Sequence, residues 1–205
     1  MRQKLIAFFI VVSACHSLNA QVKIASQTDA GGSVQDFFTS IAITKDGGYL
    51  AGGFSNSNIS GEKTQNSRGG NDYWVIKYTA QGLKQWDKTI GGSDDDKLYS
   101  VLQTDDGGYL LGGLSSSNVS GEKTTNSKGY SDYWIVKLDS AGNIEWDKTI
   151  GGSEMEFLTC MEKTSDGGYL LGGTSLSNAG FDKTENCWGG YDYWIVKING
   201  KGKVL

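Results

Sequence analysis

Carboxylates are the side chains of this chain with the most scope for chemistry, and Asp94-Asp95-Asp96 is their densest cluster. Calcium takes several converging oxygens from a loop of defined spacing. This run lacks the EF-hand pattern. It aligns with Val34-Gln35-Asp36 and Glu154-Met155-Glu156, so only its last position is acidic in every copy. A solvated loop is expected there, with no metal site. A glycosidase needs one facing pair of Asp or Glu, and no pair stands out. The single histidine, His16, falls inside an N-terminal leader. The remaining chain therefore has no imidazole base and no Cys/His metal set. Ser60-Gly-Glu-Lys-Thr64, Ser120-Gly-Glu-Lys-Thr124 and the altered Gly180-Phe-Asp-Lys-Thr184 share a short motif. They lack the glycine spacing and following helix of a phosphate loop, which excludes nucleotide binding. Their Lys and Glu/Asp side chains are expected to form weak surface pairs. No catalytic residue, cofactor or metal is assigned.

Other residues suggest contacts rather than reactions. Tyr130, Trp188 and Tyr191 are the candidate aromatic contacts for a sugar or a protein, on a face rich in loops, with packing between blades as the alternative for each. Repeated Asp72, Asp132 and Asp192 are expected to hydrogen-bond nearby backbone amides or a neighbouring blade. Cys160 stands where Ser40 and Ser100 stand, and Cys187 where Ser67 and Ser127 stand. Both changes fall in one unit, which predicts a Cys160–Cys187 disulfide in an oxidising compartment.

The elements that position these residues repeat three times with a period of sixty. Gly-Gly-Ser recurs at 31–33, 91–93 and 151–153; Asp-Gly-Gly-Tyr-Leu at 46–50, 106–110 and 166–170; Asp-Tyr-Trp at 72–74, 132–134 and 192–194. Each repeat is one packing module that buries its apolar faces against its neighbours. In the middle copy, Lys97–Gln103, Tyr109–Gly113, Asp132–Asp139 and Ile144–Ile150 read as four strands. Thr104–Gly108, with its Asp-Gly pair, predicts a tight primed hairpin turn. Leu114–Ser131 is a long polar loop without periodicity. In the third strand Trp134, Val136 and Leu138 point one way and Tyr133 and Ile135 the other, so both faces need cover. Trp74, Trp134 and Trp194 are expected to be equivalent buried residues.

The first twenty residues read as a signal peptide: basic Arg2 and Lys4, an apolar run from Leu5 to Val12, and a cut at Ala20–Gln21. Val12-Ser13-Ala14-Cys15 offers a second outcome, a chain lipid-anchored at Cys15. No later stretch is apolar enough to span a bilayer. Net charge is −4 for the whole chain and lysines are scattered singly, which excludes a nucleic-acid footprint. Residues 21–205 make one domain of repeats 31–90, 91–150 and 151–205.

The expected fold is all-β, a propeller-like array of three four-stranded antiparallel repeats, incomplete or completed by an oligomer. A β-trefoil-like arrangement is the alternative. The last copy lacks the Trp-Asp-Lys-Thr-Ile strand, and a degraded version, Val22-Lys23-Ile24-Ala25-Ser26, precedes the first copy and could supply it. Open faces and strand edges invite self-association. Trp146-Asp-Lys-Thr-Ile-Gly-Gly-Ser153, Asp166-Gly-Gly-Tyr-Leu170 and Asp192-Tyr-Trp-Ile-Val-Lys197 resemble the blade repeats of secreted and surface proteins of Bacteroidota, exported β-propeller-like proteins often carrying a type IX secretion signal. The resemblance implies a secreted or cell-surface, non-catalytic repeat protein, structural or binding protein or glycan. The alternative is a fragment of a larger propeller with glycoside-processing activity.

Overall fold

A computed structural model describes residues 27–205. The leader with its Ala20–Gln21 junction, Cys15, His16 and Val22–Ser26 lies outside the described residues. The rest is strands and turns, in three consecutive meanders. β1 (Asp36–Ile43), β2 (Tyr49–Ser55), β3 (Asp72–Tyr78) and β4 (Lys84–Ile90) form the first sheet in chain order. β5 (Asp96–Gln103), β6 (Tyr109–Ser115), β7 (Asp132–Leu138) and β8 (Ile144–Ile150) form the second. β9 (Glu156–Lys163), β10 (Tyr169–Ser175) and β11 (Asp192–Ile198) form a third sheet with three strands. All neighbouring strands are antiparallel. Among the described residues no strand of one unit ladders onto a strand of the next; backbone contacts between units are local, such as Asp96 N–H to the Asn71 carbonyl at 2.6 Å, Glu156 N–H to the Ser131 carbonyl at 2.8 Å and an isolated Ser131–Met155 bridge. Among the described residues the sheets stack without closing into a trefoil-type barrel or a ring.

Strand alternation builds the cores. Tyr73 and Val75 of β3 meet Leu98 and Val101 of β5 and Trp134, Val136 and Leu138 of β7 between the first two sheets. The other face of β7, Tyr133 and Ile135, packs with Leu158, Met161, Leu171, Val196 and Ile198 between the second and third. Each β1-type strand carries a bulge at the same place, between Phe38 and Ser40, Leu98 and Ser100, and Leu158 and Cys160. The hairpin turn departs from expectation. Gly107 N–H bonds the Thr104 carbonyl at 3.1 Å, Thr104 N–H bonds the Gly108 carbonyl at 2.9 Å, and Gly107 has φ 86°. That is a three-residue loop closed by a left-handed glycine, not a two-residue primed turn. Asp106 selects it by accepting from Gly108 N–H at 2.9 Å and from the Thr104 hydroxyl.

The unit ends differ. Here Phe38 is 67% and Ile41 53% exposed on the first sheet, whereas their equivalents Leu98 and Val101 are buried. On the third sheet Tyr193 is 92% and Ile195 69% exposed, whereas Tyr133 and Ile135 are fully buried. No helix among the described residues is long and apolar enough to cross a membrane.

Candidate functional site

The chain crossings that carry the long loops and the Gly-Gly-Ser segments lie at one end of the stacked sheets. The motif lysines there are not surface groups. Lys63, Lys123 and Lys183 are buried in the three units. Lys63 Nζ reaches Thr89 Oγ1 at 2.7 Å, and Lys123 Nζ reaches Thr149 Oγ1 at 2.6 Å. Each sits above the tryptophan of its own unit, 5.7 Å from Trp74 and 5.8 Å from Trp134. Burial pushes the Lys123 ammonium down to about 8, with Asp96, Asp132 and Asp147 opposing the shift. The sequence signal was available. A lysine at fixed register with a Trp and a Thr in each complete unit is a packing pattern, since scattered surface pairs need no such register.

The fourth strand closes this network. Asp87 accepts from Trp74 Nε1 at 3.1 Å and Thr64 Oγ1 at 2.8 Å. Asp147 accepts from Trp134 Nε1 at 2.9 Å and from the Thr124 hydroxyl. Thus the loop motif, the aromatic strand and the Trp-Asp-Lys-Thr-Ile strand form one polar cluster in each of the first two units. Asp72, Asp132 and Asp192 accept from the amides of Arg68, Lys128 and Trp188 at 2.7, 2.7 and 2.6 Å, as the pattern predicts. Burial pushes the Asp72 and Asp132 carboxyls up.

The Asp94–Asp96 run does not converge. Asp96 turns inward, takes Gly92 N–H at 2.6 Å and the Ser117 hydroxyl at 2.9 Å, and is pushed up to about 6 by burial. Asp95 faces the preceding unit and accepts from Asn71 N–H at 2.9 Å. Among the described residues no group of three His, Cys, Asp or Glu could hold a metal ion. Ion pairs Arg68–Glu122 and Lys128–Asp182 link successive units.

Tyr130, Trp188 and Tyr191 are all exposed, at 67%, 95% and 52%. They are not stacked on one another. Tyr130 N–H bonds the Glu154 carbonyl at 2.9 Å, Tyr191 packs on Phe157 with ring centroids 5.5 Å apart, and Trp188 stands at the Arg68 and Lys128 position. Phe181, unremarked in the sequence, is 70% exposed and holds φ 52° where Gly61 and Gly121 stand in the other units. The expected disulfide is absent: Cys160 and Cys187 are free. Cys160 pairs with Gly172 of β10, while Cys187 Sγ lies 3.4 Å from the Ser175 carbonyl and 3.0 Å from that of Ser177. Three residues of strand separate those places by about 10 Å, beyond disulfide reach. Cys187 keeps the carbonyl contacts that Ser127 makes in the second unit.

The fold and its loop end define an all-β repeat protein of stacked antiparallel sheets. No family model matches the chain. A curated relative, the regulatory protein FlaEY of Caulobacter vibrioides, is 24% identical over 147 residues, 67% of this chain and 15% of its own length. A crystal structure of a protein of unknown function from Bacteroides caccae is similar with a TM-score of 0.41 and 14% identity, covering 82% of this chain and 44% of that one. The chain therefore spans less than half of either relative's length.

Proposed function

We propose that this chain is an exported, non-catalytic structural module of propeller-like type, which works by stacking with further modules through its two end faces. One observation carries the reading. Phe38 and Ile41 on the first sheet, and Tyr193 and Ile195 on the third, are the two halves of an interface that the chain builds twice internally, and here both halves are exposed. Apolar faces of this kind mark interaction surfaces. The ionisable groups at the loop end are engaged in holding loops and unit junctions. The leader at residues 1–20 and the resemblance to secreted Bacteroidota repeats support export. N-terminal sequencing of exported protein should begin at Gln21, and sedimentation at micromolar concentration should show a species larger than a monomer. A lipid-modified Cys15 would replace release by anchoring; a compact monomer would refute stacking.

A second reading has its own support. Phe181, Trp188 and Tyr191 replace Gly, Arg/Lys and Asn/Ser of the other units, and all are exposed. Exposed aromatics suit a glycan or protein ligand. Binding on a glycan array that Trp188→Ala abolishes would favour recognition over scaffolding.

A further inference from the structure

Among the described residues the third sheet has three strands where the first and second have four. After the turn at Asn199–Gly202 the chain starts back along β11: Val204 bridges Ile198, and Leu205 N–H reaches the Lys197 carbonyl at 3.0 Å. Beyond that point Tyr193–Val196 have no strand neighbour on their outer edge among the described residues. In the second sheet the same stretch, Tyr133–Val136, pairs with Asp147–Ile150.

A segment matching that missing strand lies at the other end of the molecule. The sixty-residue period puts Gln27, Thr28, Asp29 and Ala30 at the places of Asp87, Lys88, Thr89 and Ile90. All four are exposed and belong to no strand. They nevertheless sit where a fourth strand of a preceding unit would run. The Gly31 carbonyl accepts Glu62 N–H at 2.9 Å, as Gly91 accepts Glu122 N–H at 3.0 Å and Gly151 accepts Asp182 N–H at 3.2 Å. Thr28 Oγ1 approaches the Gly82 turn within 4.0 Å of its Cβ position, as Lys88 Cε does at Gly142 (3.2 Å) and Lys148 Cγ at Gly202 (3.0 Å). The segment is placed as the last strand of a preceding sheet would be.

We propose that Gln27–Ala30 of a second copy add to the open edge of β11, opposite Val196–Tyr193, so that copies join head to tail by strand addition. This rests on the stacking reading above. The register follows from the second sheet: Ala30 faces Tyr193, Asp29 faces Trp194, Thr28 faces Ile195 and Gln27 faces Val196. Chemistry agrees with register. Gln27 takes the place of Asp87 and Asp147 beside Trp194 Nε1 and Thr184, and its amide oxygen can accept from both. Asp29 takes the place of Thr89 and Thr149, which brings a carboxylate to buried Lys183, whose Nζ otherwise bonds the Glu185 carbonyl at 2.7 Å.

The faces agree as well. A Cβ at Gly52 would lie 2.6 Å from Val101, and one at Gly112 would lie 2.5 Å from Met161, because incoming side chains fill those sockets. A Cβ at Gly172 would meet only Cys160 of its own sheet, so this socket is free for Ile41 and Phe38 of the second copy. Tyr193 would then donate to the Trp74 carbonyl of that copy, as Tyr73 does to Trp134 at 2.9 Å and Tyr133 to Trp194 at 3.0 Å. Gln27–Ala30 of the same chain cannot serve. Gly31 is tied to the first unit, and the third lies about 20 Å away at the usual sheet spacing of about 10 Å, against about 3.8 Å between adjacent Cα atoms.

The test is sedimentation velocity of residues 21–205 at micromolar concentration, with two variants. Thr28→Pro/Asp29→Pro removes a ladder N–H whichever of the two faces the neighbour, because alternate amides do; the segment is exposed and unpaired, so the fold tolerates it. Ile195→Glu charges the receiving face. The wild type should associate, each variant should weaken association about tenfold or more, and an equimolar mixture of the two variants should form a one-to-one dimer and nothing larger. Association lost in Ile195→Glu but unchanged in the proline variant would overturn strand addition and leave stacking intact. A monomeric wild type, or association indifferent to both variants, would overturn both.

Discussion

The three repeat tryptophans occupy one sequence position in three different surroundings, so truncating each in turn measures what the surroundings contribute. Trp134 is fully buried, its ring centroid lies 4.8 Å from that of Tyr73, Lys123 stands over it, and its Nε1 donates to Asp147. Truncating a buried aromatic to alanine costs about 3–5 kcal/mol. Losing the bond to a charged acceptor places Trp134→Ala near the top, at about 4–5 kcal/mol. Trp74 keeps the equivalent bond to Asp87 and is 7% exposed, but no sheet among the described residues covers its outer face, which points to about 3–4 kcal/mol. Trp194 is only partly buried and has no fourth-strand carboxylate opposite it, so its loss should be about 2 kcal/mol. Urea unfolding followed by circular dichroism at sub-micromolar concentration excludes a contribution from assembly. The expected order is Trp134, Trp74, Trp194. Equal losses at all three positions, or a Trp134 loss below about 1 kcal/mol, would refute the assignment of packing by neighbouring sheets.

Lys123 gives a pH test. Its folded value of about 8 lies below the ordinary 10.5, so the unfolded chain binds more protons between those values and stability should rise with pH across them, by up to about 3 kcal/mol. Lys123→Met should reduce that slope, with a part left from Lys63, which burial also pushes down; identical slopes for both proteins from pH 7.5 to 9.5 would count against it, a window chosen below the tyrosines that burial pushes up. Gly113→Ala would place a Cβ 2.0 Å from the Lys97 carbonyl at the bulge and should cost about 2 kcal/mol or more in the same urea assay. Arg68→Ala, which breaks a partly exposed inter-unit pair, should cost less than about 1 kcal/mol, less still in high salt. Denatured, unreduced protein beginning at Gln21 should titrate two free thiols, Cys160 and Cys187, with a thiol reagent.

Periodicity made most of the architecture readable. The middle-unit strands fall within two residues of their expected bounds, and the division of β7 between two faces follows from simple alternation. The polar interior was not read, because single-residue character misleads there: an isolated Lys123 looks like a solvated group, and only its recurring Trp and Thr partners mark it as packed. The turn was misjudged since Asp-Gly suits two loop lengths, and the Thr104–Asp106 contact that decides between them depends on the geometry of the whole hairpin. The cysteine pairing failed for a related reason. Two coincident Ser-to-Cys changes carry no distance, and each thiol sits beside a different part of β10.

Because β7 supplies side chains to both cores, the middle sheet is a shared wall. It cannot melt without dissolving both interfaces, whereas either outer sheet can loosen at the cost of one. Hydrogen exchange should therefore slow toward the centre of the stack, with β6 and β7 amides exchanging only through global opening and β1 and β11 amides through local fraying. Capping either end would convert a fraying sheet into a second protected wall. Protection would then spread outward from the middle, and resistance to proteolysis with it.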